Sequence, residues 1–161
     1  MTNENERVVL YTDGACLGNP GPGGYGVVLL YDKHRKELSG GFRLTTNNRM
    51  EMRAVIEGLK ALKRRCSVTI YSDSEYVVNA ISKGWAERWR ANRWRRNKKE
   101  MAVNPDLWAE LLELCEQHDV DLRWVRGHAG VTENERADRL AMAAAQQPDL
   151  PRDPGYQGDR R

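Results

Sequence analysis

Polar and apolar positions alternate over residues 8–13. Val9, Tyr11 and Asp13 share one face and Val8, Leu10 and Thr12 the other, which is the period of a strand. Residues 14–24 are rich in Gly and Pro and are expected to form a loop. Residues 25–31 and 37–44 predict two further strands, joined around 32–36, so the first third reads as an antiparallel meander. Thr45, Thr46 and Asn47 offer N-caps for a helix running to about residue 63, with Val55, Leu59 and Leu62 on its buried side. A strand is expected at 68–73, then a helix from Ser74 to about Lys83. Asn104 as N-cap and Pro105 at the first helical position open another helix, striped by Leu107, Trp108, Leu111, Leu112 and Cys115. A last strand is expected at 120–125, a loop at 127–132 and an Ala-rich helix at 133–146.

This order predicts an α/β fold, a mixed sheet covered by helices, in one domain over 1–146. Residues 147–161 are polar and contain Pro, and are expected to form a loosely ordered tail. Such a length fits one domain with a real core. No membrane span or signal peptide is apparent. Cys16, Cys66 and Cys115 are widely spaced, with neither zinc spacing nor a disulfide framework, and suit reduced thiols in a cytoplasm.

Net charge is only +3, but it is unevenly spread. Between Lys83 and Lys99 stand many cations and one acid, Glu87, interleaved with Trp85, Trp89 and Trp94. Trp85 and Trp89 are four apart, share a helix face and are expected to anchor it.

Three carboxylates stand in places that ordinary folding does not explain, and a fourth, ordinary by itself, joins them. Asp13 and Asp73 each close a hydrophobic strand, where open α/β sheets build their sites. Glu51 lies on a stripe otherwise made of Ala54, Val55, Gly58, Leu59 and Leu62, so it points into the protein, where a carboxylate needs a partner or a metal. Asp138 sits among small residues beside Ala137 and Ala141. Four converging carboxylates require cations, and an all-oxygen set selects magnesium or manganese. Two such ions ~4 Å apart are the usual arrangement for in-line phosphoryl transfer. His128, between Gly127 and Gly130, is a candidate proton shuttle.

The segments that carry these residues resemble those of bacterial type 1 ribonuclease H. They are 11–26, beginning Tyr11-Thr12-Asp13-Gly14; 45–51, ending Arg49-Met50-Glu51; Ser72-Asp73-Ser74; 124–130, with Gly127-His128-Ala129-Gly130; and 133–138, ending Arg136-Ala137-Asp138. The order and near-family spacing span roughly residues 7–158. The resemblance implies a five-stranded mixed sheet, three antiparallel strands followed by two parallel ones. It implies a two-magnesium site on Asp13, Glu51, Asp73 and Asp138, with His128 as the flexible-loop histidine. The activity implied is internal hydrolysis of the RNA strand of an RNA–DNA hybrid, leaving 5′-phosphate and 3′-hydroxyl ends. A monomer with no obligate protein partner is expected.

Selectivity for RNA rests on its 2′-hydroxyls, read across the minor groove. Cys16, Asn19 and Asn47 are expected on that side, Thr46 in a pocket for a DNA phosphate, and Glu75 near the scissile strand. The stretch 83–99 resembles the family's basic protrusion, which grips the DNA strand, with Trp85, Arg88, Arg90, Arg93, Trp94 and Arg95 expected at the hybrid. Arg88 stands where several relatives have Asn, and Glu75 where Gln is frequent. A hybrid-binding protein without catalysis and a DNA-cutting nuclease of the same fold are the competing readings.

Overall fold

A computed structural model describes residues 7–127 and 131–159. The alternation at the start of the chain extends further than the sequence pattern predicts. Strand β1 covers Val8–Cys16, β2 Gly21–Tyr31 and β3 His34–Thr45. They pair antiparallel, β1 with β2 and β2 with β3. Helix α1 (Asn47–Lys60) leads to β4 (Ser67–Ser72), then α2 (Glu75–Ser82), α3 (Trp85–Ala91) and α4 (Pro105–Gln117). Strand β5 (Asp119–Trp124) and helix α5 (Thr132–Ala145) follow. β4 pairs parallel with β1, and β5 parallel with β4, giving the order β3-β2-β1-β4-β5. The expected mixed sheet is therefore present.

The Gly-rich stretch is strand, not the loop expected over 14–24; only 17–20 leave the ladder. The reason is close packing rather than turning. A Cβ at Gly14 would lie 2.4 Å from the Glu51 backbone nitrogen, and one at Gly26 would lie 2.3 Å from the Ala137 carbonyl. Glycine lets α1 press on one face of the sheet and α5 on the other. The main core lies on the α1 side, where Leu10, Val27 and Ile70 meet Val55, Leu59, Leu111 and Trp108.

Two other expectations are corrected. Asn104 occupies the N-cap position of α4 but does not cap it; its backbone is left-handed (φ 60°), and its Oδ1 accepts from Arg49 Nη1 at 3.1 Å. The tail over 147–159 is held rather than loose. Asp153 is 0% exposed and receives the Arg49 guanidinium, Nε at 2.7 Å and Nη2 at 3.1 Å. Thr45 Oγ1 donates to the same carboxylate at 2.6 Å, and the Arg43 N–H reaches the Pro151 carbonyl at 2.8 Å. A polar segment without an apolar face gave no sign of this, because it is held by buried charge rather than by burial of hydrocarbon.

Candidate active site

Four elements bring the acids together at one end of the sheet. Asp13 comes from β1, one residue beyond the Thr12–Ser72 pair that ends its pairing with β4. Asp73 stands in the two-residue link between β4 and α2, just ahead of Ser74, whose hydroxyl caps α2 by accepting from the Val77 N–H at 3.2 Å. Glu51 comes from the second turn of α1. Thr46 starts that helix as N-cap, its hydroxyl accepting from Arg49 N–H at 3.3 Å. Asp138 comes from α5 on the opposite face of the sheet.

Asp13, Glu51 and Asp73 each place a carboxylate oxygen within 4.8 Å of the others. Asp138 is outside that tight trio, yet it lines the same cleft, and its charge acts on Asp13. Asp13 and Glu51 are buried, 6% and 4% exposed. A single backbone N–H serves both: Gly14 donates to Asp13 Oδ1 at 2.9 Å and to Glu51 Oε1 at 2.8 Å. Glu51 Oε2 is buried with no partner among the described residues. Burial, joined by the charge of Asp73 and the closeness of Asp138, pushes the Asp13 carboxyl up to about 8, although its hydrogen bond with Glu51 opposes the rise. Burial and the Asp13 charge also hold Glu51 well above the usual carboxylate range. Buried acids in this state, with an orphaned oxygen, are short of positive charge, and hard oxygen donors suit a hard divalent cation. The donor set therefore fits a metal.

Two supports of this site carried no signal in the sequence pattern. The Trp124 indole N–H donates to the Asp73 carbonyl at 3.1 Å, so β5 fixes the backbone that presents Asp73. Arg49 anchors the first turn of α1, two residues before Glu51.

The cleft measures about 360 Å³ and also takes in Cys16 and Asn47. Asn19 is exposed beside it, its Oδ1 accepting from the Asn47 N–H at 3.1 Å. Glu75 is exposed in the first turn of α2. A larger groove of about 520 Å³ opens at the other end of the strands, lined by Val8, Tyr31, Leu62 and Cys66. It contains no carboxylate and is not this site.

The basic stretch divides in two. Trp85, Trp89 and Trp94 are half-buried against the core, and Trp89 meets Trp108 edge-on at 5.8 Å. Trp85 thus anchors its helix, as its spacing with Trp89 predicts, and Trp94, expected at the hybrid, also packs inward. Arg88, Arg90, Arg93 and Arg95 are exposed. Arg90 is paired with Glu116 at 2.9 Å, and Arg88 donates to the Lys83 carbonyl at 3.2 Å. His128 lies outside the described residues.

Fold and site together define a class: a five-stranded mixed sheet with a buried carboxylate cluster at one end that suits a divalent cation. The family model for RNase H matches residues 5–146. A ribonuclease H of Syntrophus aciditrophicus is 69% identical over 151 residues, covering 94% of this chain and 87% of its own. Ribonuclease HI of a Synechocystis species is 57% identical, covering 91% of this chain and 92% of its own. The crystal structure of LC9-RNase H1, a type 1 RNase H with the type 2 active-site motif, superposes with a TM-score of 0.78 at 36% identity, over 90% of this chain and 74% of its own. The chain belongs to the ribonuclease H family, and it is similar over most of its length to bacterial type 1 enzymes. It is an enzyme of the kind that cleaves RNA in RNA–DNA hybrids.

Proposed function

We propose that this chain hydrolyses the RNA strand of the hybrid internally, with Asp13, Glu51, Asp73 and Asp138 holding two magnesium ions, and leaves 5′-phosphate and 3′-hydroxyl ends. The observation that carries the reading is the buried trio within 4.8 Å with its orphaned Glu51 oxygen. Bound there, the ions supply an activated water and charge stabilisation of the leaving oxygen. The chain's own residues do the rest. The Gly14 N–H orients Asp13 and Glu51 together, and Trp124 steadies Asp73. Cys16 and Asn47 line the cleft and Asn19 is bonded to the Asn47 N–H, so backbone and amide groups there can meet 2′-hydroxyls, while Thr46, the N-cap just before Asn47, meets a DNA phosphate. Glu75, exposed beside the cleft-lining Ser74, faces the scissile strand in this reading. Arg88, Arg90, Arg93 and Arg95 neutralise phosphates of the DNA strand, giving affinity without sequence preference. His128 moves a proton during product release.

The enzyme is proposed to act as a monomer in the cytoplasm. Three unpaired cysteines support a reducing compartment. No helix among the described residues is long and apolar enough to cross a membrane. The test is cleavage of a labelled hybrid beside RNA–RNA and DNA–DNA duplexes, with magnesium, manganese or EDTA. Metal-dependent cutting of the hybrid's RNA strand alone is expected. Tight hybrid binding with no cutting in either metal would leave only a binding protein.

A further inference from the structure

The C-terminal segment reaches the edge of the site through one buried carboxylate. Asp153 Oδ2 accepts from Thr45 Oγ1 at 2.6 Å and from Arg49 Nε at 2.7 Å, and its Oδ1 accepts from Arg49 Nη2 at 3.1 Å. Thr45 is the last residue of β3, and Arg49 the third of α1. Between them stand Thr46, the N-cap of α1, and Asn47, which borders the cleft and is tied to Asn19. One carboxylate thus fastens both ends of a three-residue segment, 46–48, that holds two proposed hybrid contacts.

A helix start is where a chain most readily frays, because its first N–H groups lack intrahelical partners. Small misplacements of groups that position a substrate are costly to turnover or binding. We infer that Asp153 is a positioning residue for hybrid recognition, holding Thr46 and Asn47 in register with the cleft from the far end of the chain. This rests on the proposed contacts of Thr46 and Asn47 with the hybrid. The rival explanation is that Asp153 only stabilises the fold.

Asp106 separates the two. It binds the same guanidinium, Oδ1 to Nη1 at 3.0 Å and Oδ2 to Nη2 at 2.9 Å, but it is exposed, sits on α4 and, among the described residues, makes no hydrogen bond to Thr45, whose hydroxyl goes to Asp153. Asp106→Asn should weaken the fold without freeing the 46–48 segment.

The experiment measures KM and kcat on a magnesium-loaded hybrid reaction with the full chain, at a temperature where circular dichroism finds every variant folded. The variants are Asp153→Asn, Thr45→Val, Asp106→Asn and Asn47→Ala. Thr45→Val removes only the hydroxyl bond and leaves the ion pairs, so it keeps the question open if Asp153→Asn fails to fold. Asp153→Asn and Thr45→Val should raise KM by ~3–10-fold with kcat little changed, the pattern of lost ground-state and transition-state binding alike. Asp106→Asn should lower Tm and leave both constants as they were. Lower Tm with unchanged KM in both Asp153→Asn and Thr45→Val would overturn the inference, as would an equal KM rise in Asp106→Asn. If Asn47→Ala raises KM while Asp153→Asn and Thr45→Val do not, only the role of Asp153 falls. If Asn47→Ala leaves KM unchanged, the assignment of Asn47 falls, and the inference with it.

Discussion

Helix α1 carries two buried charges two residues apart, and their surroundings are opposite. Arg49 is 1% exposed, and each of its nitrogens has an acceptor, from Asp153, Asp106, Asn104 or the Pro154 carbonyl. The neighbouring acids raise its pKa against the opposing effect of burial. Glu51 is about as deeply buried, yet its neighbours are Asp13 and Asp73, and one of its oxygens has no partner. The first cluster is neutralised by the chain itself. Among the described residues no ion pair neutralises Asp13 or Glu51 in the second, which is left to protons or to cations from solution. A buried charge set completed internally serves the fold, and one left incomplete marks the place where a ligand belongs.

The largest effect that would break this comparison concerns the incomplete set. Asp13→Asn should reduce hybrid cleavage by ~10³-fold or more, since it removes charge on which transition-state stabilisation depends. In EDTA at pH 8 the same variant should melt above the parent, because a repelling carboxylate is gone. An active Asp13→Asn enzyme would refute the metal assignment, and a lower Tm would refute the idea that the apo site is strained by its own charge. The complete set should answer in the opposite way. Arg49→Met leaves Asp153 buried without its main partner and should cost about 3–5 kcal/mol in urea unfolding, with or without magnesium. A loss below ~1 kcal/mol would mean that Arg53, whose Nη2 lies 3.7 Å from Asp153, substitutes for it.

Most of the sheet and three of the acids were legible because they break a local rule. Asp13 and Asp73 break apolar strand patterns, although only Asp73 follows the end of its strand and β1 runs on past Asp13 to Cys16, and Glu51 interrupts an apolar helical stripe. Asp138 breaks no rule of its own and is recognised by its place in a motif. The Gly-rich stretch misled because glycine signals both turning and close approach, and only the positions of α1 and α5 decide between them. Asp153 was invisible for a different reason. Its partner Arg49 is 104 residues away, and an isolated Asp in a Pro-containing tail looks the same whether solvated or buried. Trp94 falls between these cases: its basic neighbours suggested a ligand, while its ring serves the core.

The pH dependence of stability sharpens the contrast. Asp13 has its folded-state pKa raised to about 8, and Glu51 is raised well above its usual value. The folded protein therefore binds more protons than the unfolded chain above the ordinary carboxylate range, and stability must fall as pH rises toward 8. His118 acts with the opposite sign: burial lowers its pKa, so its contribution grows as pH rises through the ordinary imidazole value of ~6.5. Between about pH 7 and 8.5 the acid cluster should dominate. Calorimetry in EDTA is expected to show Tm falling across that window, and saturating magnesium should flatten the slope by favouring the ionised acids. A flat or rising metal-free profile would show that the acids are neutralised by the chain after all.

The smallest expected effect extends the same logic to exposed charge. Arg90 already has a carboxylate, Glu116, at 2.9 Å, whereas no carboxylate pairs with Arg95 among the described residues. If internal pairing decides what a charge can do for a ligand, the two arginines should differ at the hybrid. Arg95→Ala should lower the slope of log affinity against log salt by ~0.9, one phosphate contact, and Arg90→Ala by clearly less. Equal losses would mean that the Arg90–Glu116 pair opens when the hybrid binds. That outcome is physically open, because an exposed pair is worth ~1 kcal/mol or less and a phosphate can replace the carboxylate. Glu116→Gln decides it: tighter hybrid binding in that variant would identify Arg90 as a phosphate ligand held back by its own fold, and unchanged binding would leave it a structural pair on the flank of α4.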